Sequence, residues 1–326
     1  MNKSLLAGMF LICFALLAHV SFAAEVKNCG LKRYASIDLV AGRNGYLLVP
    51  VTIESMRAYM VLNMAGPFSV LADSAAKNLS LKASSMPNGL QVRADGRPIQ
   101  KVVVATPFIL GELKFKSANF LVTAGERFTA DQADAPVVGF LGMDVFNQFD
   151  IELDVAHQKM NLFSQDHCKG HAVYWSAKYD AVPIRSGSLG EFYFPMELEG
   201  KKLETTLATS NRVTTLHTDA TRALFNFDNH SPDVQTEPDE TGRSTSQYRA
   251  MKLSGDGIEV INARISLVDS PPNTSCHLSS HLGAASYEGC YGMHPLALGQ
   301  NVLSKLHLYI ATKEKLLYFT PANASE

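Results

Sequence analysis

The chain of 326 residues is long enough for two domains, each with a core of its own. Hydrophobic residues make up 46% and charged residues 18%, a globular profile without a disordered bulk. Lys plus Arg (29) nearly balances Asp plus Glu (31), and both signs are scattered, which excludes the basic footprint of a nucleic-acid binder.

In chain order, the first feature is a targeting segment. Lys3 is a short positive n-region, residues 5–17 are apolar, and Ser21-Phe22-Ala23 ends in small residues suited to a cleavage site. This is the pattern of a secretory signal peptide over residues 1–23, cleaved after Ala23. The apolar run is short for a membrane span and His19 follows it. The expectation is an exported protein, periplasmic or secreted, with no membrane association once the signal is removed.

Cleavage takes Cys13 away and leaves Cys29, Cys168, Cys276 and Cys290. An even count in an exported chain reads as two disulfides. Three pairings are open; the favoured one joins Cys29 to Cys168 across the first half and Cys276 to Cys290 around a loop in the second. His167-Cys168-Lys169-Gly170-His171 has metal-ligating residue types, but it holds one Cys and has no second cluster nearby. Neither a metal nor a cofactor is expected.

The β-signals begin with Tyr46-Leu47-Leu48-Val49-Pro50-Val51-Thr52-Ile53 and continue over residues 101–108, 113–115 and 118–122, all short and rich in β-branched or aromatic residues. Asp95-Gly96 and Glu199-Gly200 are turn dipeptides. Helical signals are short, at residues 73–79 and 219–224. Residues 226–246 are acidic and turn-rich, and a solvated loop is expected there rather than a hairpin over a cleft.

These elements repeat. Shifted by 145 residues, Gly45 meets Gly190, Pro50 meets Pro195, Glu54 meets Glu199, Leu62 meets Leu207, Ser69 meets Thr214 and Ala75 meets Ala220. Late in each half the offset becomes 157, with Gly142 on Gly299 and Val145 on Val302, so the second half carries 12 extra residues around positions 269–291. A repeat this long is a duplicated domain rather than a solenoid unit.

The halves resemble the bacterial relatives of retropepsins, the retroviral-type aspartic peptidases, and the two-lobed pepsin-like members. Residues Tyr59-Met60-Val61-Leu62 match the incoming strand of that family and Ser69-Val70-Leu71 the outgoing run. Phe140-Leu141-Gly142-Met143-Asp144-Val145-Phe146 and Ala297-Leu298-Gly299-Gln300-Asn301-Val302-Leu303 match its late hydrophobic–Gly motif. The resemblance implies an all-β fold of two homologous barrel lobes in pseudo-two-fold arrangement with a cleft between them. The lobes would span residues 24–165 and 181–326, with a joint at 166–180 resembling the inter-lobe connection. Tyr174 and Trp175 of that joint are expected to pack between lobes, and the ten histidines to lie on the surface or in ordinary packing.

The family's catalytic Asp-Thr-Gly-Ala falls on Asn63-Met64-Ala65-Gly66 and on Ala208-Thr209-Ser210-Asn211. Carried over, its mechanism needs two adjacent carboxylates sharing a proton, one as general base on water and the other as general acid. Asn63 is an isostere of Asp that accepts no proton at working pH, and Ala208 offers neither charge nor hydrogen bond. Met64 cannot make the family's side-chain cross-lobe hydrogen bonds, whereas Thr209 can. Asp73 and Asp219, just downstream, read as helix N-cap or first-turn residues, and Asp144 as structural. The resemblance therefore implies a non-catalytic exported pseudopeptidase whose cleft takes an extended peptide or protein. The alternative is an active aspartic endopeptidase using displaced carboxylates. With both lobes fused in one chain, a monomer is expected.

Overall fold

A computed structural model of the chain describes residues 29–42, 45–86, 92–94, 97–123, 134–187, 190–238, 244–255, 257–269 and 295–323. The signal segment, the Asp95-Gly96 turn, and the insertion with Cys276 and Cys290 lie outside these residues. Among the described residues, no helix is long and apolar enough to cross a membrane.

The fold is all-β, with two barrel lobes. The N-terminal lobe is built on a ten-stranded sheet and the C-terminal lobe on an eight-stranded one, while a six-stranded sheet draws strands from both. Each lobe begins with a hairpin whose inner face is apolar: Leu47–Ile53 with Met56–Leu62, and Phe192–Leu198 with Lys201–Leu207. Along Phe192–Leu198 every second side chain is buried, as the two-residue period of a strand requires.

The turns of these hairpins explain the Glu54/Glu199 match. Both glutamates sit at positive φ (58° and 48°), a conformation a side chain adopts at a cost. Each side chain then accepts a backbone N–H from a neighbouring segment, Thr106 at 2.6 Å from Glu54, in the bend between two strands, and Met251 at 2.6 Å from Glu199, in a strand. The donors are themselves 145 residues apart, so the duplication preserved the whole contact.

A late strand then inserts between the arms that flank each cleft turn. Val137–Leu141 runs parallel to Met56–Leu62 and antiparallel to Val70–Ala72. Leu296–Leu298 does the same between Lys201–Leu207 and Thr214–His217.

Residues 226–246 correct the sequence expectation. Val234–Pro238 pairs with Ser244–Tyr248 at the edge of the C-terminal sheet, so a hairpin stands where a loop was expected. Polar composition misled because an edge hairpin is held by backbone hydrogen bonds and needs only a part-buried face. Phe227 stacks at 4.7 Å against Tyr248 and anchors its base.

The six-stranded sheet orders Arg33–Asp38, Lys159–Phe163, Asp150–Asp154, Leu306–Ala311, Leu316–Pro321 and Asp180–Pro183. The lobes meet at its centre, where Asp150–Asp154 pairs antiparallel with Leu306–Ala311. The joint crosses its outer face: the ring of Trp175 stacks on His307 at 3.8 Å and Tyr174 donates to Glu152. The histidine expectation fails at His167, whose side chain is 1% exposed between Asp150 and Glu314, while His307 is part-buried against Glu152.

Cys29 and Cys168 are disulfide-bonded with Cα atoms 4.8 Å apart, the pairing expected for them, and the bond fastens the N-terminal segment to the joint. It spans 139 residues of sequence. Replacing both cysteines by serine should lower unfolding free energy by about 2–4 kcal/mol in denaturant melts, and an unchanged midpoint would show that the crosslink does not constrain the unfolded chain.

Candidate functional site

Two backbone turns face each other at the base of the cleft. In the first, the Gly66 N–H donates to the Asn63 carbonyl at 3.1 Å; in the second, the Asn211 N–H donates to the Ala208 carbonyl at 2.9 Å. The Asn63 and Ala208 amides each donate at 2.9 Å to the end of the inserted strand, at Leu141 and Leu298. Met143 and Asp144 donate to the carbonyls of Gly66 and Pro67, and Gln300 and Asn301 to those of Asn211 and Arg212. The two turns are thus the same structure built twice.

The late glycines are required by space. A Cβ on Gly142 would lie 2.5 Å from the Phe68 carbonyl group, and one on Gly299 would lie 2.4 Å from the Val213 carbonyl carbon. Only glycine lets the inserted strand end so close to the outgoing chain.

A buried polar side chain then ties each outgoing run down. The Ser69 hydroxyl donates to Asp144 at 2.6 Å and accepts the Gly142 N–H at 3.0 Å. In the second lobe Thr214 donates to Asn301 at 2.9 Å and accepts the Gly299 N–H at 3.1 Å. Burial pushes the Asp144 carboxyl above its ordinary value, against the Ser69 and Val145 donors that pull it down. Asp144 is a structural acceptor, as expected from the sequence.

The turns differ in their side chains. Thr209 is fully buried; its hydroxyl accepts the Met64 N–H at 3.0 Å and donates to the Leu62 carbonyl at 2.8 Å, both across the lobe boundary. Met64 occupies the equivalent place in the first turn and offers only its backbone; its side chain is buried packing. One half of a reciprocal clasp is therefore present. The Gln300 side-chain amide adds a bond to the Thr209 carbonyl at 2.9 Å.

At the base itself the half-buried Asn63 carboxamide accepts from the Ser210 hydroxyl at 3.3 Å, and Ala208 is buried beside it. Ala65, Gly66 and Asn211 complete the two turns and are part-buried. Neither an amide nor an unactivated hydroxyl takes a proton from water near neutral pH. The Asn63–Ser210 pair joins positions 147 residues apart, and the sequence carries no local signal for it.

The acids considered as displaced catalysts lie elsewhere. Asp73 is in the first turn of the helix Asp73–Asn78, and hydrogen bonding to Lys77 holds its carboxyl below the usual range. Asp219 is in the first turn of Thr218–Ala220, beside Arg222. Neither makes a side-chain cap, since the N-cap positions are Ala72 and His217. Among the described residues, no group of three or more His, Cys, Asp or Glu side chains is arranged to hold a metal ion.

No family model and no curated protein matches the chain. Among solved structures, it is similar to conglutin gamma, a basic 7S globulin from lupine seeds, at 11% identity over 91% of this chain and 96% of that one, with a TM-score of 0.46. It is also similar to basic 7S globulin from soybean, at 9% identity with the same coverages and a TM-score of 0.47.

Thr209→Val is isosteric and strands the Met64 N–H and the Leu62 carbonyl between lobes. It should cost about 2–4 kcal/mol in denaturant unfolding, as two buried groups lose their partner, while Thr209→Ser should stay within about 1 kcal/mol of the parent. Equal effects of the two substitutions would show that the methyl group, not the hydroxyl, carries the contact.

Proposed function

We propose that this protein is an exported pseudopeptidase: an aspartic-peptidase scaffold, retropepsin-like in its motifs, that binds extended peptide without cutting it. The observation that carries this reading is the base of the cleft. Turns whose backbone bonds match one for one present Asn63, Ser210 and Ala208 instead of a pair of carboxylates.

The physical consequence is specific. A peptidase of this class needs one ionised and one protonated carboxyl, a state produced by placing two like charges within hydrogen-bond reach. Each of the lost general acid and general base roles is worth about 10²–10⁴-fold in rate. The scaffold does not depend on them, since its hydrogen bonds run through backbone, Thr209, Ser69, Thr214, Asp144 and Asn301. A cleft with a neutral, hydrogen-bonding base can still hold a peptide in extended form, with the hairpin edge at Val234–Pro238 as a strand-addition partner. A signal peptide over residues 1–23 and a monomeric two-lobed chain, with lobes at 24–165 and 181–326, belong to the same reading.

Two measurements test it. Purified protein incubated with denatured protein substrates from acid to neutral pH should release no fragments; cleavage that an aspartic-peptidase inhibitor blocks would establish an active enzyme instead. Fluorescent extended peptides of about eight residues should bind saturably and lose at least tenfold in affinity to Ser210→Trp, which fills the cleft base. Binding that ignores this substitution would place the ligand elsewhere.

A further inference from the structure

The strand Asp150–Asp154 carries an acid at every second position. A strand with one apolar and one acidic face normally turns the acids to water. Here Ile151 and Leu153 face the core, and Asp150 (0% exposed), Glu152 (5%) and Asp154 (8%) are buried too. The joint covers them. Its Ala172, Val173 and Trp175 pack with Phe163, Tyr309 and Tyr318 on the outer side of the six-stranded sheet.

The covered acids meet partners from both lobes and from the joint. Asp150 accepts the Thr312 N–H and hydroxyl, each at 2.8 Å, and contacts the His167 Nε2 at 2.6 Å. Glu152 accepts from the Asn161 amide at 2.8 Å and the Tyr174 hydroxyl at 2.7 Å, and contacts the His307 Nε2 at 2.8 Å. Asp154 contacts the His157 Nδ1 at 2.6 Å and the His307 Nδ1 at 3.8 Å.

His167, at the start of the joint and with a side chain 1% exposed, is the decisive group. Its Nδ1 faces the Cys168 carbonyl at 3.0 Å and the Glu314 carboxylate at 3.3 Å, while its Nε2 faces Asp150. A neutral imidazole has one N–H, and a carbonyl can only accept. Both contacts are satisfied only if His167 is an imidazolium or Asp150 keeps its proton. In either microstate the pair holds one proton more than a neutral imidazole beside a carboxylate.

We propose that the joint is a proton-linked latch: the proton shared by His167 and Asp150 clamps residues 169–179 onto the inter-lobe sheet, and its loss frees them while the Cys29–Cys168 bond keeps the hinge end attached. Without that proton, Asp150 and Glu314 are buried against a neutral ring, with a nitrogen lone pair facing an acceptor. The surroundings do not replace it. Tyr309 packs edge-on to the His167 ring at 6.1 Å, and burial and the neighbouring carboxylates hold its hydroxyl far above its usual value. Tyr318 donates to Glu314 at 2.6 Å and is likewise held protonated. Lys313 is exposed and pairs with Asp166, and Arg33 acts on Tyr174 at the far side of the cluster.

The direction of the pH dependence follows. Burial alone would push His167 down, but the Cys168 carbonyl, Asp150 and Glu314 together raise it above its ordinary value; burial raises Asp150 as well. The folded pair thus retains a proton that the unfolded chain gives up at lower pH. The stabilisation is complete below the unfolded values and is lost as pH rises through the raised value of His167. The latch is closed below the raised value of His167 and opens as pH rises through it.

The full chain with its disulfide intact tests this without substitution. Nitrogen-15 NMR should show His167 as an imidazolium above the usual imidazole range. Amide exchange in residues 169–179, corrected for its intrinsic pH dependence, should then accelerate by about tenfold per pH unit past that titration, the slope of a one-proton linkage. The emission of Trp175, the single tryptophan of the chain, should shift red over the same interval. Asp150→Asn should move the His167 titration and the joint's opening to lower pH together, and His307→Gln should leave both in place. Corrected exchange that is flat with pH overturns the latch, even if Trp175 emission changes. An imidazole that titrates at or below the ordinary range overturns it too.

Discussion

The cleft is fixed by how closely one backbone can pass another. At Gly142 and Gly299 the inserted strand ends against the carbonyl group of the residue that follows each turn, with no room for a Cβ. That approach puts the end of the strand within hydrogen-bond reach of both the incoming and the outgoing chain. The turns at Asn63 and Ala208 are held by four backbone bonds each before any side chain is considered. Backbone groups carry this geometry, so the side chains at the tip are free to change. Asn63 and Ala208 occupy equivalent places there with different side chains and the same backbone bonds.

The same reasoning explains what the sequence made legible. Glycines forced by close approach repeat at fixed spacing because no substitute fits, and the Glu54/Glu199 pair repeats because each glutamate serves a backbone N–H at the corresponding position. Ser69/Asp144 and Thr214/Asn301 repeat with different residues but one pattern: a hydroxyl between a glycine N–H and an acceptor. What was illegible is non-local. The Asn63–Ser210 bond joins positions 147 residues apart. The acidic face of Asp150–Asp154 reads as solvent-exposed until the joint, Tyr174 and His307 are known to cover it. His307 carries no local signal, since its partner Glu152 lies in the other lobe, and His167 meets Asp150 on a strand 17 residues back.

The junction between lobes therefore has two polar sides with opposite character. On the cleft side an active enzyme would concentrate like charges, and the penalty of holding two carboxylates together would be part of its pH behaviour. Asn63, Ser210 and Ala208 place no carboxylate at the facing turns. On the outer side the acids remain, three along one strand and a fourth on the facing turn, in contact with His167 and His307. Burying such a set stabilises nothing by itself, because desolvation offsets most of the Coulomb attraction. What it provides is geometry and proton dependence, for each carboxylate has its partners in a different element. The pH response of this molecule should then reside in the packing of the joint over the seam rather than at the facing turns.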